Sequence, residues 1–256
     1  MPGSPESLAA TGERTAPGLA DEEYWFARHV AGYAALPRLL GTAGQGRLID
    51  AGAGEGYGAA ALLDAGARAV IALEYDAPTC LHASRAYPSV GVARANLDAL
   101  PVRSGSVNAV VSCQVIEHLW DLPRFLRECR RVLRHDGVAV VTTPNRLTFS
   151  PGLLRGERPI NPFHVEEFDA DQVATMLRAA GFPHVSVVGL HHGPRLREWE
   201  RHYGSLVQNQ VDAVLSGTWP GPLRDMVATV TPADFEVRSD DVDACADLIG
   251  VARVRS

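Results

Sequence analysis

A chain of 256 residues with 46% hydrophobic content can bury one full core, and a three-layer α/β unit of about 200–250 residues is an ordinary size. The formal net charge of −6 gives no field that would gather phosphates, so a small-molecule partner is favoured over nucleic acid or an anionic membrane surface. Cys80, Cys113, Cys129 and Cys245 form no C-x-x-C pair, no run of about 18 apolar residues occurs, and no basic start leads into an apolar stretch; a cytoplasmic protein without disulfides or a zinc ribbon is expected.

Residues 1–20 are rich in Gly, Pro, Ser and Ala and are expected to be a flexible leader ahead of a single domain over residues 21–256. Tyr24, Trp25, Ala31, Tyr33, Ala34 and Leu36 suit a helix from Asp21 to Leu40, with Asp21 as N-cap and Pro37 ending or kinking it. Beyond it, short apolar runs at Arg47–Ala51, Ala69–Leu73, Val90–Arg94, Val107–Cys113 and Val138–Thr143 are each expected to be a parallel strand followed by a helical crossover. Later runs at Val185–Leu190 and Leu248–Val254 complete a Rossmann-like, seven-stranded, mostly parallel sheet with helices on both faces. Between them, residues 191–246 are too many for a plain loop and must hold structure of their own.

The strongest chemical signal is Leu48-Ile49-Asp50-Ala51-Gly52-Ala53-Gly54-Glu55-Gly56-Tyr57-Gly58, an apolar strand running into a glycine-rich turn and then a helix. Gly52, Gly54 and Gly56 can form a floor that touches a nucleoside without a Cβ in the way. The second strand ends at Glu74, about 20 residues past the turn, where an acid can accept both ribose hydroxyls of an adenosine. A nicotinamide dinucleotide would meet the same two conditions, although no obvious Tyr-x-x-x-Lys pair or second phosphate-binding turn accompanies them.

From Leu48 onward the order of motifs resembles the class I methyltransferases, which implies S-adenosyl-L-methionine as cofactor. The resemblance rests on Asp50-Ala51-Gly52-Ala53-Gly54-Glu55-Gly56, Glu74, Ala95-Asn96-Leu97-Asp98-Ala99-Leu100-Pro101, Val107 to Leu119, and Gly137-Val138-Ala139-Val140-Val141. It implies that Asp50, Gly52, Ala53, Gly54, Gly56 and Glu74 line the cofactor, that Asn96 and the backbone of Leu97 meet the adenine, and that Gln114 lies near the methionine moiety. Asn96 stands where the family commonly has Asp, and an amide oxygen can accept the same hydrogen bond.

A narrower resemblance is to the mycobacterial sugar O-methyltransferases of methylmannose polysaccharide biosynthesis. It is carried by Thr11-Gly12-Glu13-Arg14-Thr15, Tyr24-Trp25-Phe26, Val115 to Asp121, Thr143-Pro144-Asn145-Arg146, Asn161-Pro162-Phe163-His164, and His192 to Arg197. It implies a sugar acceptor, methylation of the 1-hydroxyl of a 3-O-methylated mannoside, and help from a divalent cation such as magnesium. The alternatives are another small hydroxylated metabolite, of natural-product or quinone type, and a cofactor-binding module without turnover. The macromolecular partner left open is a second copy of the chain, as a homodimer.

A sugar hydroxyl is a poor nucleophile at neutral pH, so a base or a metal is wanted beyond the carboxyl ends of the strands. Glu117 and His118 follow the fourth strand and His164 the fifth. The three resemble part of the cation site in metal-dependent members of the fold, where an E-x-x-E-H motif precedes a further histidine; Gln114 replaces its first acid. Two readings stay open, a metal held by Glu117, His118 and His164, or a general base at His118 beside a locally paired Glu117. Asn145 and Arg146 could bond a sugar or make a turn and a salt bridge. His191, His192, Arg195 and Arg197 open the insertion, and Trp199, Tyr203 and Trp219 could stack on a sugar or anchor that insertion. Trp25, Arg28 and His29 place the leader helix either over the cofactor as a lid or against a sheet edge.

Overall fold

The computed structural model describes residues 22–255. The expected leader, Thr11–Thr15 and the Asp21 cap therefore lie outside the described residues. The first helix, α1 (Glu23–Leu40), runs through Pro37 without ending there; Gly41 N–H closes its last turn on the Pro37 carbonyl. Proline lacks the N–H that would bond one turn back, but its own carbonyl still accepts, and a position near the helix end and exposed to solvent tolerates the loss.

Strands β1 (Arg47–Ala51), β2 (Ala69–Glu74), β3 (Gly91–Arg94), β4 (Val107–Cys113), β5 (Leu133–Pro144), β6 (His184–His192), β7 (Phe235–Arg238) and β8 (Asp247–Arg253) form one eight-stranded sheet in the order β3-β2-β1-β4-β5-β8-β6-β7. The first five pair in parallel. β8 inserts antiparallel between β5 and β6, and β7 adds antiparallel to β6. Seven strands match the expected runs, and the eighth, β7, is a four-residue edge inside the insertion. Helices α2 (Tyr57–Asp64), α3 (Ala77–Ala86), α4 (Leu122–Val132), α5 (Arg146–Phe149) and α6 (Ala170–Ala179) lie on the connections. The expected helix after the third strand is absent: residues 95–106 cross from β3 to β4 as turns, in a stretch broken by Pro101 and Gly105.

Alternation along the strands divides the core into two layers. Leu48, Ala109, Val111, Val138 and Val140 face α1, α2 and the insertion helices, while Ile49, Val110, Ala139 and Val141 face α4 and α6. Strands buried on both faces read as continuous apolar runs, which is why β1, β4 and β5 were legible. The insertion holds α7 (Pro194–Tyr203), α8 (Leu206–Ser216) and α9 (Gly221–Val227) before β7. Leu196, Leu206, Val207 and Leu223 bury its apolar face in the same layer as α1.

Candidate active site

The β1–α2 turn takes the conformation its glycines permit. Gly52, Gly54 and Gly56 have φ of 78°, 51° and 89°, in the left-handed region that costs other residues energy. A Cβ on Gly52 would fall 2.5 Å from Val115, whereas one on Gly54 would meet nothing within 4 Å. Gly54 thus presents bare backbone to open space. Its N–H donates to Glu74 Oε2 at 3.0 Å, and Glu74 Oε1 accepts from the N–H groups of Tyr75 and Asp76. The two features singled out as cofactor contacts are joined at the carboxyl ends of β1 and β2. Ala53 is buried between them, and its N–H, with that of Gly52, bonds the Leu73 carbonyl.

Asp50 is fully buried, and both carboxylate oxygens accept from the Tyr33 hydroxyl, at 3.0 and 3.1 Å. Burial raises its carboxyl to about 7; the Tyr33 hydrogen bond opposes this and the Glu74 charge adds to it. Asn96 is exposed, and its Oδ1 accepts from Asp98 N–H, while Leu97 is buried in the core. One oxygen lone pair of Asn96 remains for a ligand amine.

Gln114 has φ of 56°, a strained conformation for a side-chain-bearing residue, costing on the order of 1–3 kcal/mol. The bend turns the chain out of β4 and aims Gln114 at α1: its Oε1 accepts from Arg28 Nη2 at 2.9 Å and its Nε2 donates to Thr142 Oγ1. Arg28, 7% exposed, also lies 3.3 Å from Asp247 Oδ2 at the start of β8. Arg28 Nη1 and Asp247 Oδ1 have no hydrogen-bond partner among the described residues. Burial pushes the Asp247 carboxyl up to about 6 against the pull of Arg28. Tyr24 donates to or accepts from His192 Nε2 at 2.7 Å, and His192 Nδ1 lies 3.0 Å from Glu200. His29 bonds Tyr57 and the Cys113 carbonyl, and burial holds its imidazole down near 4. Helix α1 therefore lies over the carboxyl ends of β1 and β4, touching them through Tyr33, His29 and Arg28.

Beyond Gln114, a single 3-10 turn over Ile116–His118 sets Glu117 inward and His118 toward the surface. Glu117 is 1% exposed and accepts from Thr143 Oγ1 at 3.0 Å. Burial raises its carboxyl, while His118 and His164 draw it down. His118 Nε2 lies 4.0 Å from Glu117 Oε1, the two imidazoles are 5.0 Å apart in edge-on contact, and ligand atoms of Glu117, His118 and His164 all fall within 4.8 Å of one another. The long β5–α6 connection brings His164 there, pinned by the Val165 N–H to the Glu117 carbonyl at 2.7 Å. One carboxylate and two imidazoles at this spacing suit a divalent cation.

Other expected contacts have structural partners. Arg146 pairs with Asp169 at 2.6 Å and donates to the Leu153 carbonyl. Asn145 caps α5 and donates to the Asp243 and Cys245 carbonyls, so the turn and salt-bridge roles hold for this pair. Arg195 makes a two-pronged bond to Asp234, and Arg197 bonds the His192 carbonyl. Trp199 is buried with its Nε1 on the Pro222 carbonyl, an anchor of the insertion. The residues that sequence patterns missed are Tyr33, Glu167 and Asp247, buried polar groups without a motif, and the role of Thr143 as donor to Glu117; the signal was an acid at the head of an apolar strand and another one helical turn past His164.

Residues 49–141 match a family model described as a methyltransferase domain. A probable S-adenosylmethionine-dependent methyltransferase of Mycobacterium tuberculosis is 48% identical over 97% of this chain and 90% of its own length. One of Mycolicibacterium smegmatis is 44% identical over 97% and 96%. A solved S-adenosylmethionine-dependent methyltransferase of Thermotoga maritima, described as a possible histamine N-methyltransferase, shares the fold with a TM-score of 0.63 over 92% of this chain and 95% of that one, at 18% identity. With the glycine turn, the Glu74 carboxylate and the sheet order in place, these relatives assign the chain to the S-adenosylmethionine-dependent methyltransferases of the class I, Rossmann-like fold.

Proposed function

We propose that this enzyme is an O-methyltransferase of a small sugar, acting on the 1-hydroxyl of a 3-O-methylated mannoside in methylmannose polysaccharide biosynthesis. The observation that supports the proposal is the Glu117, His118 and His164 cluster, which gathers hydroxyl-activating groups after β4, the strand that pairs with β1. Gly52, Ala53, Gly54 and Gly56 form the floor under the cofactor, Glu74 takes the ribose, and Asn96 and Leu97 take the adenine. Asp50 supports this floor through Tyr33. Arg28, with a buried and unpartnered donor beside Gln114, is suited to the carboxylate of the methionine moiety.

In the reaction the acceptor oxygen attacks the sulfonium methyl in line. A new C–O bond forms as the C–S bond breaks, and the electron pair stays on sulfur as S-adenosylhomocysteine. The hydroxyl proton must leave. His118 Nδ1 lies 3.0 Å from the Phe163 carbonyl, an acceptor only, so Nδ1 bears the ring proton and Nε2 is the basic nitrogen. In the alternative, a divalent cation such as magnesium, held by Glu117, His164 and that same His118 nitrogen, would lower the pKa of a hydroxyl bound to it. The insertion over residues 191–246 borders the acceptor side.

Labelled methyl transfer from S-adenosylmethionine to short mannosides, free and 3-O-methylated, tests both parts. The expected result is transfer to the 3-O-methylated acceptor that stops with chelator and returns with magnesium. Cofactor binding without methylation of any mannoside would overturn the sugar acceptor. Transfer indifferent to chelator would remove the cation and leave His118 Nε2 as the base.

A further inference from the structure

The segment that delivers His164 carries a second acid that no motif marks. Glu167 is 2% exposed, and its Oε1 lies 2.7 Å from His164 Nδ1. On the other side of the ring, Asn161 Nδ2 donates to His164 Nε2 at 3.0 Å while Asn161 Oδ1 accepts from Phe163 N–H. An amide donor on Nε2 and a carboxylate on Nδ1 leave one neutral tautomer, with the proton on Nδ1. His118 has the same arrangement, its Nδ1 proton given to the Phe163 carbonyl. Both imidazoles are thus pinned at Nδ1.

Glu167 is also left incomplete. Its Oε2 is buried without a hydrogen-bond partner among the described residues, and a bare carboxylate oxygen in the interior is costly unless positive charge arrives nearby. A cation on the far nitrogen of His164, taking the lone pair that Asn161 Nδ2 holds at 3.0 Å in its absence, would place that charge across the ring. We infer that Glu167 is the positioning residue of the cation site: it holds the His164 imidazole in the Nδ1–H tautomer and strengthens Nε2 as a ligand. Outer carboxylates of this kind fix ring orientation and raise the basicity of the ligating nitrogen. The inference rests on the cation reading proposed above.

Manganese(II) titration of the full-length protein, followed by electron paramagnetic resonance, tests it without reference to turnover. Glu167→Ala should weaken manganese binding about 10–100-fold, and Glu167→Gln, which keeps an acceptor, by less. Affinity for S-adenosylhomocysteine should stay within about twofold in both, since Glu167 supports the cation and not the cofactor. Imidazole nitrogen NMR supplies a readout that a merely structural role would not move: His164 should be the Nδ1–H tautomer in the wild type and shift toward the other in Glu167→Ala. If the alanine variant fails to fold, the glutamine variant decides by the same two measurements. Manganese affinity and tautomer unchanged by either substitution would overturn the role of Glu167 alone, whereas a wild type that binds no manganese would overturn it together with the cation reading.

Discussion

Asp50 is the clearest case of a residue whose chemistry is set by burial. Its carboxyl, ordinarily near 3.8, sits near 7 in the folded chain because no water reaches it and Glu74 adds negative charge nearby. Between those two values the folded state holds a proton that the unfolded state has released. The stabilising contribution is therefore full below about pH 4 and is lost as pH rises through about 7. Melting temperatures at pH 5 and pH 8 should fall more steeply for the wild type than for Asp50→Asn, which still accepts from Tyr33 but does not titrate; equal slopes would show that Asp50 does not carry the effect. Asp50 was legible in the sequence because it ends an apolar run at the glycine turn, and Glu74 because it ends the next apolar run, about 20 residues past that turn. Their partners were not. Tyr33 lies on a helix that sequence spacing could place either over the cleft or at a sheet edge, and only packing brings its hydroxyl to Asp50.

At the level of elements, α1 is a polar seam. Tyr24, Arg28, His29 and Tyr33 point from one helix into the sheet ends, bonding at the ends of β6, β4 and β1. Tyr24 reaches furthest, binding α1 to His192 at the end of β6, which in turn meets Glu200 on α7. Tyr24→Phe removes one partner of a buried pair and leaves a ring nitrogen unsatisfied, at a cost of about 1–3 kcal/mol. For a chain of this size that corresponds to a melting temperature lower by roughly 2–10 °C, readable by calorimetry; an unchanged value would mean that the bond adds nothing to the attachment of α1. The strand runs were readable because both sheet faces are covered. The edge strand β7 escaped because Phe235–Arg238 is short and half-buried, and the missing helix after β3 because a short connector of turn residues looks like a weak helix until the chain path is known.

Over the whole molecule, the fold separates two tasks along the carboxyl ends of the strands. On the proposed reading, the floor at β1 and β2, Gly52 to Gly56 with Glu74, serves the cofactor, and the ends of β4 and β5, with Glu117, His118 and His164, serve the acceptor. Gln114 and Thr142 join the ends of β4 and β5 through a direct hydrogen bond. The β1–α2 turn is written in glycines, whose conformational freedom is visible in any sequence. The cluster at the ends of β4 and β5 depends on a long connection from β5 that folds back onto Glu117, so spacing along the chain said little about which residues meet there. Among the described residues no helix is long and apolar enough to cross a membrane.

The division into two halves is tested most directly by titrating S-adenosylhomocysteine into the wild type, Gly54→Asp and His118→Ala by calorimetry, with methyl transfer measured on the same samples. Aspartate tolerates the left-handed conformation at Gly54 but would project a charged side chain into the open space above the turn. The expected results are a folded Gly54→Asp without measurable cofactor binding, and a His118→Ala that binds like the wild type but transfers methyl groups at least about 100-fold more slowly. Wild-type affinity in Gly54→Asp, or normal turnover in His118→Ala, would contradict that division.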